Sequence, residues 1–332
     1  MDAIGYRSLE FKTKQPKKPL WRKLLLGTLA MSLLFVRSTQ ELTPAEASSL
    51  AVESPPLLGQ VGTYLAITKN APKPPVFAKS FVLLDPNTSE VIVSQNPELL
   101  VPIASTTKMV TALVARELFD LDETVTVSKL AANINGSDIQ LVLNEKISMH
   151  QLLRGLMIQS GNDAAFAIAD HYSPADNEYI DFVNKMNEFA QKVGLKNTVF
   201  GDPAGLDDET GRSTAWDLAQ IARLVLADPI LKEIVSTARA TITSTDGSIS
   251  HELTNSNRLL LGDSPYYLPG ATGVKTGFTP LAGHCLVSAY QSAQGPLIAV
   301  VLNTAEYSIT ASAAESRKLY TWADRYLERR QY

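Results

Sequence analysis

The clearest helical signal in the chain lies over 177–192 and 213–227, where apolar residues recur at i, i+3 and i+4. Three further helices are predicted over 105–118, 148–159 and 162–172. On either side of this helical block the pattern changes period. "FAKSFVLLDPNTSEVIVSQN", residues 77–96, is two apolar, β-branched runs around Asp85-Pro86-Asn87, which predicts a hairpin. "GVKTG" (273–277), "HCLVSAYQ" (284–291) and "PLIAVVLNT" (296–304) read as strands, the last two joined through "SAQG". "AAESRKLYTWADRYLERR" (313–330) reads as an amphipathic helix. The order hairpin, helical block, three strands, final helix predicts a mixed α/β (α+β) fold. Its first and last parts share one antiparallel sheet, with the terminal helix on one face and the helical block on the other.

Composition adds an ordinary globular core: 45% of the 332 residues are hydrophobic and 19% charged. The formal net charge is −4, but residues 1–23 hold seven Lys or Arg against Asp2 and Glu10. That local +5 leaves −9 on the remaining residues, an acidic body that argues against nucleic acid as the main partner. "LLLGTLAMSLLFV", residues 24–36, follows the basic stretch without a charge. It is shorter than the roughly 20 apolar residues of a spanning helix. A basic flank and a short apolar run have the layout of a secretory signal, either cleaved or kept as an N-terminal membrane anchor. Prolines 44, 55, 56, 72, 74 and 75 mark a linker. The expected organisation is therefore a signal or anchor over 1–37, a linker over 38–75 and a folded domain over 76–332. The single cysteine, Cys285, excludes an intramolecular disulfide and a Cys-based zinc site, and its apolar run makes it a buried strand residue.

Three short stretches carry candidate chemistry. In "PIASTTKMVTALVA" (102–115), Ser105 and Lys108 stand three apart, so a helix would let the amine reach back to the hydroxyl. A serine is a poor nucleophile until a base takes its proton, and burial lowers a lysine's pKa toward neutrality. "IQSGNDAA" sets Ser160 and Asn162 at the junction of two predicted helices, with Gly161 allowing a tight bend. "GVKTGF" sets Lys275 and Thr276 on a strand, with Gly277 removing bulk where a substrate backbone could lie alongside. Val274 before the lysine rules out a phosphate-binding P-loop. Each stretch alone has a bland alternative, an N-cap or a surface lysine. The four histidines, His150, His171, His251 and His284, show no metal-binding spacing and are assigned structural roles, and Asp207-Asp208-Glu209 reads as a solvated loop.

Together and in this order the three stretches match the S-x-x-K, S-x-N and K-T-G set of penicillin-recognising serine enzymes. Residues 76–332 resemble the low-molecular-mass penicillin-binding proteins, the serine-type D-alanyl-D-alanine carboxypeptidases (peptidase S11). The likeness extends to "LLRGLMIQSGNDAAFAIAD", "GLKNTVFGDPAGLDD", "STAWDLAQIARLVL" and "GVKTGFTPLAGHCLVSA". The resemblance implies a β-lactamase/transpeptidase-like fold and an exported enzyme acting on peptidoglycan stem peptides outside a bacterial cytoplasmic membrane. It implies β-lactams as covalent inhibitors and no metal or organic cofactor. Ser105 would be the nucleophile, Lys108 its base, and Ser160 the proton relay to the leaving amine. Asn162 would hold the substrate, and Lys275 and Thr276 its carboxylate. The backbone N–H groups of Ser105 and Phe278 would form the oxyanion hole beside Gly277.

Two departures from the family stand out. Some members carry a carboxylate-binding arginine shortly before K-T-G; here the nearest matching position is Ser256, while Arg258 lies two residues on, so that role stays unassigned. The chain also ends after the final helix, without the C-terminal β-domain and anchor of many relatives, so membrane attachment would be N-terminal. D,D-endopeptidase activity is an alternative. A β-lactamase is another, but "KNTVFGDPAGLDD" offers no glutamate followed by Leu-Asn to drive deacylation. An inactive peptidoglycan-binding sensor is the alternative outside catalysis.

Overall fold

The computed structural model describes residues 63–172, 179–206, 210–304, 308 and 310–331. The chain divides into Met1–Leu58 and Gly59–Tyr332, and every described residue belongs to the second unit. The basic and apolar stretches of 1–37, the linker through residue 62 and the acidic run 207–209 lie outside the described residues.

The first described element, β1 (Thr63–Ile67), falls within the stretch expected to be linker. It pairs antiparallel with a strand made by the last residues of the chain, Leu327–Gln331. A ladder built from opposite ends of the domain leaves no local signature, and the nearby prolines hid it. The ordered unit thus begins before Val76, and the predicted terminal helix ends early to supply the partner strand.

The hairpin follows as β2 (Ala78–Leu84) and β3 (Val91–Gln95). The segment predicted as one helix over 105–118 is a 3₁₀ turn, Ala104–Thr107, leading into α1 (Lys108–Leu118). A small ladder, β4 (Thr124–Thr126) with β5 (Lys146–Ser148), precedes α2 (Met149–Arg154). The chain then widens into a π turn, Gly155–Gln159, before α3 (Asn162–Tyr172). Next come α4 (Ile180–Lys192), α5 (Ala215–Ala227) and α6 (Pro229–Ser236). Helix α6 was not predicted. Its start is nevertheless well marked: Asp228 caps it by accepting from the backbone N–H groups of Ile230 and Leu231, with proline at the first position. A second small ladder, β6 (Arg239–Thr243) with β7 (Ser250–Thr254), was also missed. The final elements are β8 (Ala271–Thr279), β9 (Gly283–Ser292), β10 (Gly295–Thr304), α7 (Ala311–Tyr326) and β11 (Leu327–Gln331).

One antiparallel sheet in the order β3-β2-β10-β9-β8 unites the two ends of the chain, as the period change predicted. Its inner strands are apolar on both faces because both are covered. Along β2, Val82 and Leu84 face the helical block, and Phe81 and Leu83 face the layer containing Leu319, Tyr320 and Trp322 of α7. Helix α7 is pinned through Tyr320, whose hydroxyl accepts from the N–H of Ala299 and lies 3.0 Å from Ser288 Oγ. These two layers hold β8 as the free sheet edge beside the turn that carries Ser105.

Candidate active site

The Ser105 turn is built by close backbone approach. Ala104 takes φ +48°, an uncommon value for a residue with a side chain. A Cβ on Gly277 of β8 would lie 2.9 Å from the Ile103 carbonyl oxygen and 3.1 Å from Ser105 N. The bulk that Gly277 lacks therefore makes room for the protein's own nucleophile turn, and the same residue also lines the open cavity. Gly205 serves the other side: its φ is +76°, and a Cβ there would sit 2.0 Å from the Ala104 carbonyl oxygen.

Lys108 is fully buried, and its Nζ has three neighbours: Ser105 Oγ at 2.7 Å, Asn162 Oδ1 at 2.8 Å and the Ala204 carbonyl oxygen at 2.7 Å. Two of these can only accept, while a hydroxyl can also donate. A neutral amine has two N–H donors and one lone pair, so the arrangement suits an amine that donates to Asn162 and Ala204 and accepts from Ser105. Burial lowers the Lys108 pKa from 10.5 to about 7, opposed by the charges of Asp202 and Asp163. Both carboxylates also shape the site. Asp202 accepts from the N–H groups of Ala204, Gly205 and Leu206, folding the loop that presents the Ala204 carbonyl. Asp163 accepts from Ile139, Leu141 and Ala164, and burial raises its pKa against those bonds.

Ser160 sits at the end of the π turn in the left-handed region, φ 72° and ψ 34°, which points the chain into α3. Asn162 donates through Nδ2 to the Asn135 carbonyl while Oδ1 serves Lys108. It is 3% exposed, and with one bond at each end of its amide it holds the lysine in place. Ser105, Ser160, Thr276, Gly277 and Phe278 line one open cavity of about 450 Å³, together with Arg258 and His284. Thr276 Oγ1 lies 2.6 Å from Ser256 Oγ. Lys275 is 1% exposed and donates to the Thr276 carbonyl, and burial, then the charge of Lys108, puts its pKa well below the usual value.

Four contributors escaped the sequence reading: Asp202, the Ala204 carbonyl, Asp163 and His284. A carbonyl has no side-chain signal, and the two aspartates act through backbone N–H groups that only the folded loops bring to them. His284 was assigned a structural role, yet its ring lines the cavity and stacks on Phe278, centroids 4.3 Å apart and planes 22° apart. Cross-strand pairing of Phe278 with His284 was readable once β8 and β9 were placed in register. His251 pairs with buried Glu145 at 2.9 Å, away from the cavity. Among the described residues, no group of three His, Cys, Asp or Glu side chains is placed to hold a metal ion.

This geometry has close parallels. The chain is 36% identical over 230 residues to the D-alanyl-D-alanine carboxypeptidase DacF of Bacillus subtilis, covering 68% of this chain and 57% of that protein. It is 30% identical over 271 residues to the D-alanyl-D-alanine endopeptidase of Escherichia coli, covering 81% of this chain and 84% of that one. The solved DD-transpeptidase of a Streptomyces strain superposes with a TM-score of 0.68 at 32% identity, over 76% of this chain and 98% of that one. The family model described as peptidase S11, D-alanyl-D-alanine carboxypeptidase, matches residues 67–306. By these matches, and with the three sequence stretches gathered around a single cavity, the chain belongs to the D-alanyl-D-alanine carboxypeptidase family, peptidase S11.

Proposed function

We propose that the chain is a serine-type D-Ala-D-Ala carboxypeptidase that removes the terminal D-alanine of peptidoglycan stem peptides through an acyl-enzyme. The observation that carries this reading is the buried Lys108 amine 2.7 Å from Ser105 Oγ, with a pKa lowered to about 7. In the proposed reaction Ser105 Oγ attacks the carbonyl carbon of the penultimate residue as its proton passes to Lys108. The backbone N–H groups of Ser105 and Phe278 take the developing oxyanion, a contribution of a few kcal/mol per donor. Ser160, in the same cavity, delivers a proton to the leaving D-alanine nitrogen. Water then attacks the ester, giving its proton back through the same groups, and frees the shortened peptide. Thr276 receives the substrate carboxylate, with Lys275 behind it supplying positive charge.

The same acylation makes β-lactams covalent inhibitors, and slow release is expected. The one carboxylate in the 201–206 loop, Asp202, is occupied with three backbone N–H groups rather than facing the ester. Endopeptidase cleavage of cross-links is a second reading, favoured by the similarity to an enzyme of that name over most of its length. Incubating the protein with a stem pentapeptide and with a cross-linked dimer, then identifying products by mass spectrometry, tests both. Free D-alanine from the pentapeptide is the expected result, and intact substrates alongside a stable penicillin adduct would replace the enzyme reading with a sensor.

The reading places the enzyme in the bacterial cell envelope, outside the cytoplasmic membrane, reached by the N-terminal signal or anchor. Among the described residues no helix is long and apolar enough to cross a membrane. The apolar run 24–36 lies outside them.

A further inference from the structure

On the outer side of α7, remote in function from the catalytic cavity, lies a second open groove of about 570 Å³. Its floor is aromatic, formed by Trp322, Tyr326 and Tyr266, and its walls include Pro72 and Pro75. Those walls are held in place: Trp322 Nε1 donates to the Pro72 carbonyl at 2.7 Å, and Arg317 Nη1 donates to the Pro265 carbonyl at 2.6 Å. The rim carries four cations, Lys73, Arg317, Lys318 and Arg325, and no carboxylate lines the groove. Lys318 is paired with Glu315, but Lys73, Arg317 and Arg325 are exposed and form no ion pair among the described residues. Three uncompensated cations in one patch stand out on a chain that carries −9 beyond residue 23. Beside them Phe77 is 65% exposed, with the Lys318 ammonium 5.3 Å from its ring centroid.

We propose that this groove docks the domain onto an anionic phospholipid surface. Cations around amphipathic aromatic rings, flanked by an exposed apolar side chain, are the composition that suits the headgroup level of a bilayer. The three free cations would meet lipid phosphates while Phe77 and the prolines meet the acyl boundary. Chain connectivity allows the same occupant. Pro72, Lys73 and Pro75 lie on the segment that follows β1, and Val36, the end of the apolar run, is 27 residues before Thr63. Fully extended, that length spans at most about 95 Å, so a chain retained at the membrane through its N-terminus has its groove within reach of the surface. The site differs from the catalytic cavity in lining residues and chemistry, and docking does not depend on which peptide bond the enzyme cleaves.

The test uses the full chain, so that the N-terminal segment is identical in every sample. Cys285 is buried, with its thiol pushed up to about 12 by burial, so a Thr321→Cys variant can be labelled selectively with an environment-sensitive fluorophore inside the groove. Vesicles of phosphatidylcholine with about 30% phosphatidylglycerol should raise and blue-shift the emission, and pure phosphatidylcholine vesicles should not. A Lys73→Gln, Arg317→Gln, Arg325→Gln variant should need roughly 100-fold more anionic lipid for the same change, at about 1 kcal/mol per cation and 1.4 kcal/mol per decade. Unchanged labelling of Ser105 by fluorescent penicillin shows that this variant is folded. Equal responses to both vesicle types, an unaffected triple variant, or the same response to inorganic phosphate without lipid would each overturn the proposal.

Discussion

If Lys108 is the base, acylation must follow its ionisation. Lowering the pKa from 10.5 to about 7 corresponds to about 5 kcal/mol, at 1.36 kcal/mol per pH unit. At pH 7 the neutral fraction is then about one half, where an ordinary lysine would offer about one part in three thousand. The second-order rate constant for acylation by a fluorescent penicillin, followed by stopped flow, should rise about tenfold per pH unit below pH 7 and level off above it. Replacing Asp202 by Asn removes a charge that pulls the Lys108 pKa upward. The side-chain oxygen can still accept from Ala204 and Gly205, as Asp202 Oδ1 does. The plateau should therefore begin at lower pH in Asp202→Asn, and at pH 6 the variant should lie closer to its own maximum than the wild type does. The same ionisation bears on stability. Between pH 7 and 10.5 the unfolded chain carries a proton on Lys108 that the folded chain lacks, so this group's contribution to stability rises with pH across that window. A wild-type rate that keeps climbing through pH 9, or an Asp202→Asn profile displaced to higher pH, would refute the assignment of Lys108 as a desolvated base.

Three further outcomes are expected. Ser105→Ala should abolish penicillin labelling while leaving circular dichroism and Tm near wild type, and an adduct found by mass spectrometry on any other residue would contradict the nucleophile assignment. Gly277→Ala should force β8 away from the Ser105 turn, at about 1–3 kcal/mol of overpacking, and lower acylation at least tenfold while the protein stays folded, because the added methyl would stand 2.9 Å from the Ile103 carbonyl oxygen. Amidating the substrate's C-terminal carboxylate should reduce kcat/KM roughly 10- to 100-fold, from about 2–5 kcal/mol for a lost buried charge contact, taken near its lower end at an open cleft; Thr276→Val should reproduce part of that loss on the acid substrate alone, equal hydrolysis of both substrates would refute recognition of the carboxylate, and a full preference for the acid in Thr276→Val would move that recognition to Arg258.

How much of this was legible depended on whether a feature is local. Two periods, 2 and 3.6, separate the sheet strands from the helical block, so the central sheet could be read from the chain with the helix bounds within a few residues. The Ser105–Lys108 contact was readable because three residues of helical or 3₁₀ chain bring i and i+3 together. Elements that exist only through distant partners, or whose strands are very short, were not readable. β1 needs β11, and the small ladders β4–β5 and β6–β7 contain strands of only three and five residues. The Asn162 amide illustrates the same limit. Its sequence position suggested a substrate contact, while the bonds to Lys108 and Asn135 come from residues distant in the chain that only the fold brings to it.

The two buried lysines extend this logic from structure to chemistry. Lys275 and Lys108 are both removed from water, and the charge on Lys108 is itself a cause of the lowered Lys275 pKa. Two ammonium groups in one such site oppose each other, so an empty site favours leaving at least one of them neutral. A substrate carboxylate arriving at Thr276 changes the balance by giving Lys275 a counter-charge, which favours its protonated form. That ammonium, by the same repulsion, disfavours a proton on Lys108. In the proposed reaction the group recognised at the end of the peptide thus helps to keep the base in the form that can accept the Ser105 proton. An amidated peptide supplies no counter-charge. Its loss should therefore appear in the acylation step as well as in binding, with kcat falling alongside the rise in KM.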